Sequence, residues 1–301
     1  MAVAVAGSAT ARAQSRPDSL RPVDWILLGY VLIVSVVAVM RAPERPGCWW
    51  LLVAHGLFGV LLYLITRPGL GPVGRTIREI YPLFLLPALY SELDILNSGS
   101  APVYDAIVQR WELAVFGSQI SREWWQAMPS RFLSSLLHTA YLSYYLIVSA
   151  PALYFAWRGD LEAVRRFVLV VIATFVICYL FFIFFPVAGP YYEFQRPAAW
   201  FLDNLPARLT YEALATGSSY GAAFPSSHVA AAVAATLAAA RSSRRLGVAL
   251  AVPTTLLTIG VVYCQMHYAV DAIAGLAVGA GVNLVVNNAE KQKRERQLPR
   301  A

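Results

Sequence analysis

Val168-Leu169-Val170-Val171-Ile172-Ala173-Thr174-Phe175-Val176-Ile177-Cys178-Tyr179-Leu180-Phe181-Phe182-Ile183-Phe184-Phe185 is the stretch that decides the fold. It carries no charge and approaches the roughly 20 apolar residues that carry a helix across a bilayer. Only helices and closed barrels satisfy their backbone hydrogen bonds inside lipid. A barrel strand alternates apolar and polar residues, and this stretch does not. It therefore reads as a transmembrane helix.

Further apolar runs lie near 24–40, 48–66, 79–96, 132–157, 225–240, 246–264 and 268–287. With the run near 166–185 they make eight candidate spans. The 301 residues are 58% hydrophobic and only 14% charged, where a soluble domain carries about a quarter. The expected architecture is all-α: a polytopic integral membrane bundle of about eight helices. One catalytic domain covers residues 23–287, with a disordered tail over 1–22 and a basic cytoplasmic tail over 288–301. The first residues lack the charged and apolar regions of a cleaved signal peptide. Cys48, Cys178 and Cys264 have no motif spacing and read as small buried hydrophobes, neither disulfide nor metal site.

The net charge of +7 argues for basic loops against an anionic leaflet rather than for nucleic-acid binding. Arg67, Arg75 and Arg78, then Arg158, Arg165 and Arg166, then Arg241, Arg244 and Arg245, all fall on one side in an eight-span count. Lys291 and Lys293 in the tail join them. The positive-inside rule makes that side cytoplasmic. Arg41 and Arg45 dissent. The opposite side holds two long segments, 97–131 and 186–224. Within the first, residues 103–116 read as a helix lying in the headgroup layer.

Two motifs carry chemistry. Phe224-Pro225-Ser226-Ser227-His228 opens the sixth span, with Pro225 suited to the first helical turn. Free N–H groups at that helix start, with the Ser226 and Ser227 hydroxyls, make a seat for phosphate. His267 and Asp271 are four apart and share a helix face. Asp271 can hold one imidazole nitrogen and leave the other free to attack phosphorus. His228 can protonate the leaving alkoxide and then deprotonate an acceptor. The stretch between the motifs is long enough for two crossings, which returns both histidines to one membrane surface.

These residues, with Tyr263, Tyr268 and Gly275, resemble the type 2 phosphatidic acid phosphatase superfamily. Phe185-Pro186-Val187-Ala188-Gly189-Pro190-Tyr191, His138 in a Tyr-rich helix, and Glu92-Leu93 before Asn97 are similar to its inositol phosphorylceramide synthase branch. The resemblance covers about residues 80 to 285. It implies a six-helix core, a phosphohistidine on His267, Asp271 as its orienting partner, His228 as acid and base, and phosphate binding by Ser226 and Ser227. It also implies a mechanism without metal or other cofactor.

The chain departs from the phosphatase members, which carry Ser-Arg where this sequence has Gly260 and Val261. An upstream lysine motif is missing as well. A phosphate monoester would lose charge-assisted bonds there, which favours transfer between phosphodiesters over hydrolysis by a lipid phosphatase. Arg196, Arg131 and Arg122 are substitute cations or ordinary interfacial arginines. His138 binds a headgroup or is a capped interfacial histidine. Glu92 and Asp94 meet polyol hydroxyls or water. Tyr191, Tyr192, Tyr220, Tyr263 and Tyr268, with Gly189, ring the expected site. The expected partner is a lipid within the membrane, with no nucleic acid. The expected setting is a bacterial inner membrane with the site on the extracytoplasmic side. A non-catalytic lipid-binding or transport protein on the same scaffold is the rival reading.

Overall fold

The computed structural model describes residues 20–67, 69–97 and 103–297. Most of the expected N-terminal tail and residues 298–301 lie outside the described residues. The chain opens with α1 (Pro22–Arg41), α2 (Cys48–Ile65) and α3 (Pro72–Leu96). Two short helices, α4 (Asp105–Phe116) and α5 (Ile120–Ala127), lead into α6 (Arg131–Leu142), α7 (Tyr144–Trp157) and α8 (Leu161–Phe184). The second long connection holds α9 (Pro190–Glu193), α10 (Ala199–Leu202) and α11 (Leu205–Gly217). Then come α12 (Ser227–Ser242), α13 (Arg244–Tyr263) and α14 (Ala269–Gln297).

The fold is all-α and polytopic. Among the described residues six helices are long and apolar enough to cross a membrane: α1, α2, the α6–α7 pair counted as one, α8, α13 and α14. The other two expected spans differ for physical reasons. α3 carries Arg75, Arg78, Glu79, Glu92 and Asp94, which lower its hydropathy. Most of that charge is neutralised between helices. Glu79 pairs with Arg21 at 2.6 Å and Arg165 at 2.7 Å, and Glu92 meets His55 of α2 at 3.2 Å. α12 has only 16 residues. Its alanines at 230, 231, 232, 234 and 235 are fully buried against α8, α13 and α14. A helix buried all round needs no broad apolar girdle.

Small residues set the closest crossing. A Cβ on Gly275 would lie 2.6 Å from the Ser226 carbonyl oxygen, and one on Gly279 would strike the Ala230 carbonyl. Glycines four apart let the backbones of α14 and α12 touch, as in membrane helix pairs generally. That contact places the start of α12 beside the start of α14.

The helix expected over 132–157 forms one candidate span, Arg131–Trp157, with α6 and α7 meeting at Ser143, whose hydroxyl donates to the Ala140 carbonyl at 2.6 Å. Two sequence expectations need correction. The last helix does not stop at 287 but runs to Gln297, because residues 288–297 are strong helix formers with a Lys291–Glu295 pair one turn apart. Pro225 lies outside α12: Ser226 is the N-cap, its hydroxyl accepting from the Val229 N–H at 3.4 Å. The dissenting arginines are also explained. Arg41 donates to the carbonyls of Leu96 (2.7 Å) and Ile183 (3.2 Å) and to Asn97 Oδ1 (2.9 Å), and Arg45 donates to Leu96. Arg41 caps the carbonyl ends of α3 and α8, and Arg45 that of α3. All three cysteines are free and buried.

Candidate active site

Two turns bring the histidines together. The first is the start of α12, where the Ser226 N–H donates to the Asp271 carbonyl at 3.0 Å and ties α12 to the first turn of α14. The second joins α13 to α14. There the N–H groups of Met266 and His267 both donate to the Val261 carbonyl at 2.9 Å. Gln265 sits in this turn with φ +59°, a left-handed conformation. Its side chain is held on both sides, accepting from Trp125 Nε1 (3.1 Å) and donating to the Gln195 carbonyl (2.9 Å). A non-glycine residue there costs about 1–3 kcal/mol, a strain that the surroundings must fix in place.

The ring centroids of His228 and His267 are 5.9 Å apart. Both rings line a cavity of about 370 Å³. Asp271 is fully buried behind His267, with Oδ2 3.5 Å from Nδ1. That oxygen accepts the Tyr268 N–H at 2.9 Å, while His267 Nδ1 and Asp271 Oδ1 lack hydrogen-bond partners. The imidazole–carboxylate pair is thus aligned but not closed, a spacing common in catalytic pairs without substrate. Burial lowers the pKa of His267 from its usual value, with the Ala223 backbone opposing. That shift favours the neutral ring.

His228 lies between two phenol rings, Tyr141 at 4.8 Å and Tyr144 at 4.5 Å between centroids. Tyr141 Oη is 3.1 Å from His228 Nε2, and Nδ1 is buried without a partner. Seven tyrosines line the cavity: 90, 141, 144, 145, 179, 191 and 192. No lysine or arginine is among the described residues lining it.

The other expected site residues divide. Ser227 and Tyr191 line the cavity. Ser226 is buried at the helix cap just behind it. Gly189 has φ +92°, and a Cβ there would lie 2.8 Å from the Ala223 Cβ, so only glycine fits this wall. Arg196 is exposed at the rim, donating to Tyr191 Oη at 3.2 Å and lying 5.4 Å over the Tyr191 ring. His138 is turned into the core: Nδ1 sits 2.7 Å from the Ser134 carbonyl, and the ring packs on Phe201. Tyr263 donates to the Met128 carbonyl at 2.7 Å, away from the cavity. Tyr220 and Tyr268 are not in its lining either, and Asp94 is exposed. Glu92 faces α2.

Several organising residues escaped the sequence reading. Asp105 accepts the N–H groups of Ala188 (2.7 Å) and Gly189 (2.8 Å) and the Tyr268 hydroxyl (2.9 Å). Glu112 accepts the N–H groups of Ser121 (3.2 Å) and Val270 (3.3 Å), and burial raises its pKa. Two carboxylates of α4 thus clamp the wall of the cavity and the start of α14. Their signal was present: the carboxylates are seven apart and share a face of α4.

The departure at Gly260 and Val261 has a packing cause. A Cβ on Gly260 would lie 2.9 Å from the Leu137 carbonyl, and Val261 is fully buried. α13 lies too close to α6 for a long cation in this arrangement. Searches of curated proteins and of solved structures return no match. A family model described as PAP2 superfamily matches residues 108–285, from the middle of α4 to within α14. That stretch holds both histidines, Asp271 and the helices that carry them, and the chain belongs to the PAP2 superfamily of lipid-phosphate phosphatases and phosphotransferases.

Proposed function

We propose that the protein is a membrane phosphotransferase that moves a phosphoryl group from one lipid-linked phosphodiester to a hydroxyl acceptor, in the manner of inositol phosphorylceramide synthases. The supporting observation is the pair of imidazoles 5.9 Å apart on one cavity, with a buried carboxylate behind one of them.

His267 Nε2 attacks phosphorus while Asp271 faces Nδ1 and stabilises the imidazolium that forms. The bond from phosphorus to the leaving oxygen breaks, and protonated His228 gives that oxygen its proton. His228 then takes the proton of the acceptor hydroxyl as its oxygen attacks phosphorus, and the P–N bond breaks. The start of α12 and the Ser227 hydroxyl hold the phosphoryl oxygens. Gly189 lets the opposite wall approach, and Tyr191, with Arg196 behind it, meets the headgroup. Ser226 acts through the cap. His138 and Tyr263 support the wall from the core side rather than touching substrate.

The lack of a cationic side chain in the lining supports a diester donor, which carries less charge than a monoester. Seven phenols suit an acceptor rich in hydroxyls. The basic clusters support a site on the extracytoplasmic side of a bacterial inner membrane, with anionic lipids against the opposite loops. The capping bonds of Arg41 and Arg45 account for the two that break the pattern.

The test uses purified protein, a radiolabelled phosphodiester lipid, and ceramide, diacylglycerol and inositol as acceptors. Wild type is expected to hold acid-labile phosphate and pass it to an added acceptor. His267→Ala is expected to hold none. Phosphate released to water whether or not an acceptor is present makes it a hydrolase instead, and no turnover with any donor removes the enzymatic reading.

A further inference from the structure

The cavity does not end at the histidines. Its lining descends along α3 through Tyr90, Pro87, Leu86 and Leu83, and along α7 from Tyr144 to Ser149. From Tyr90 to Leu83 the helical rise is about 10 Å, directed toward the middle of α3 and away from its Leu96 end. The wall between these helices is Phe175 of α8. Below the histidines the lining is apolar apart from phenols and Ser149, whose hydroxyl is already spent on the Tyr145 carbonyl at 2.6 Å.

This lower part opens sideways. Pro87, Tyr145 and Ser149 line the cavity and are also exposed. Phe84 and Leu146 beside them present 73% and 67% of their surfaces outward. α7 belongs to a candidate span and α3 packs along the candidate span α8, so such apolar exposure at their depth faces hydrocarbon. Both flanking helices hold an interior proline next to the opening, Pro87 in α3 and Pro151 in α7. Each removes a backbone hydrogen bond and disfavours a straight helix.

We infer that the gap between α3 and α7 is the binding slot and side entrance for a hydrocarbon chain of the lipid substrate, with Leu83, Leu86 and Pro87 facing Val148 and Ser149 across it. The inference rests on the phosphotransferase reading for the identity of the substrate. The occupant is a lipid tail because the slot is continuous with the histidine pair, lies at membrane depth and is lined by apolar side chains, phenol rings and Ser149, with no charged group among its described residues. A polar acceptor therefore reaches the phosphorus from the side of the residue 186–224 connection. α3 precedes the stretch that matches the family, so the helix that flanks the slot is supplied by the chain's own N-terminal part.

Two measurements test this. In the first, Leu86→Trp and Ser149→Trp fill the slot, and Leu146→Trp adds the same bulk on the lipid face. kcat/KM is measured with a long-chain donor and its soluble dihexanoyl form. The long-chain to short-chain ratio is expected to fall at least ~10-fold in the two slot variants and to hold in Leu146→Trp. An unchanged ratio in the slot variants overturns the inference. The second needs no turnover. Phosphatidylinositol with a mid-chain diazirine is photolysed in nanodiscs with wild type and variants, and the labelled peptides are mapped. Labelling concentrated on residues 83–87 and 145–149, and reduced by Leu86→Trp, is expected. Labelling spread evenly over α1, α2 and α13 refutes the slot even if no donor turns over. Absent turnover combined with concentrated labelling refutes the enzymatic reading and leaves the slot standing.

Discussion

Among the described residues, two histidine–carboxylate pairs lie inside the helical bundle, and one of them, His267 with Asp271, has its imidazole on the cavity that also holds His228. Between α1, α2 and α3, His55 Nδ1 meets Ser35 Oγ at 2.7 Å and Nε2 meets Glu92 at 3.2 Å. Both ring nitrogens are engaged, and neither residue lines the cavity. Between α13 and α14, His267 Nδ1 stands 3.5 Å from Asp271 with no hydrogen bond made, and the ring looks into open space beside a second imidazole. The residue types are nearly the same. The difference is whether both ring nitrogens are engaged and whether room exists for a substrate. A ring held at both nitrogens joins helices, although Glu92 Oε2 is left without a partner, and a ring with a nitrogen to spare beside a cavity is available for chemistry.

The largest effect that would test this contrast is His267→Ala, expected to lower turnover at least ~10⁴-fold while elution and thermal transition stay those of wild type. Substantial remaining activity would place the nucleophile elsewhere. Asp271→Asn comes next, at roughly three orders of magnitude, because the amide cannot stabilise the imidazolium. A loss of only a fewfold would mean that the 3.5 Å separation persists through the reaction. Asp105→Asn is expected to cost about tenfold in kcat/KM, since three donors lose a carboxylate and the cavity wall shifts against the His267 turn. Wild-type values would show that the wall is held by the remaining bonds.

A pH profile sharpens the comparison further. The pKa of His267 is lowered, so its neutral form persists as pH falls below the ordinary ~6.5 of histidine and is lost only on passing the lower value. The acid limb of kcat/KM, which reports the free enzyme, is expected below ~6.5. A limb at or above that value would mean that His267 is solvated in the membrane-embedded protein. The smallest catalytic effect belongs to His55→Ala. It leaves Glu92 buried without its partner and is expected to cost ~1–3 kcal/mol of stability, with kcat per folded molecule unchanged. A kcat loss as large as that of Asp271→Asn would erase the distinction between the two pairs.

Much of the architecture was legible in order of residues. Long uncharged runs announce membrane helices because lipid forbids unsatisfied backbone. The apolar spacing of residues 103–116 announced α4. α12 was expected over 225–240 and forms over Ser227–Ser242; what the order of residues did not show is that its alanines make the buried centre of the bundle. The organising carboxylates Asp105 and Glu112 looked like the polar edge of a surface helix. Only the approach of α4 to α14 turned them into acceptors for backbone N–H groups.

By itself the sequence determined the class of protein, its membrane helices and the local chemistry of two motifs, since these depend on composition and on neighbours within one or two turns. Tertiary structure decided which two histidines share a cavity, which tyrosines line it with them and which of its lining residues are exposed. Those properties arise where separate helices meet, and the meeting is set by small-residue contacts such as Gly275 on Ser226, whose outcome no single segment encodes.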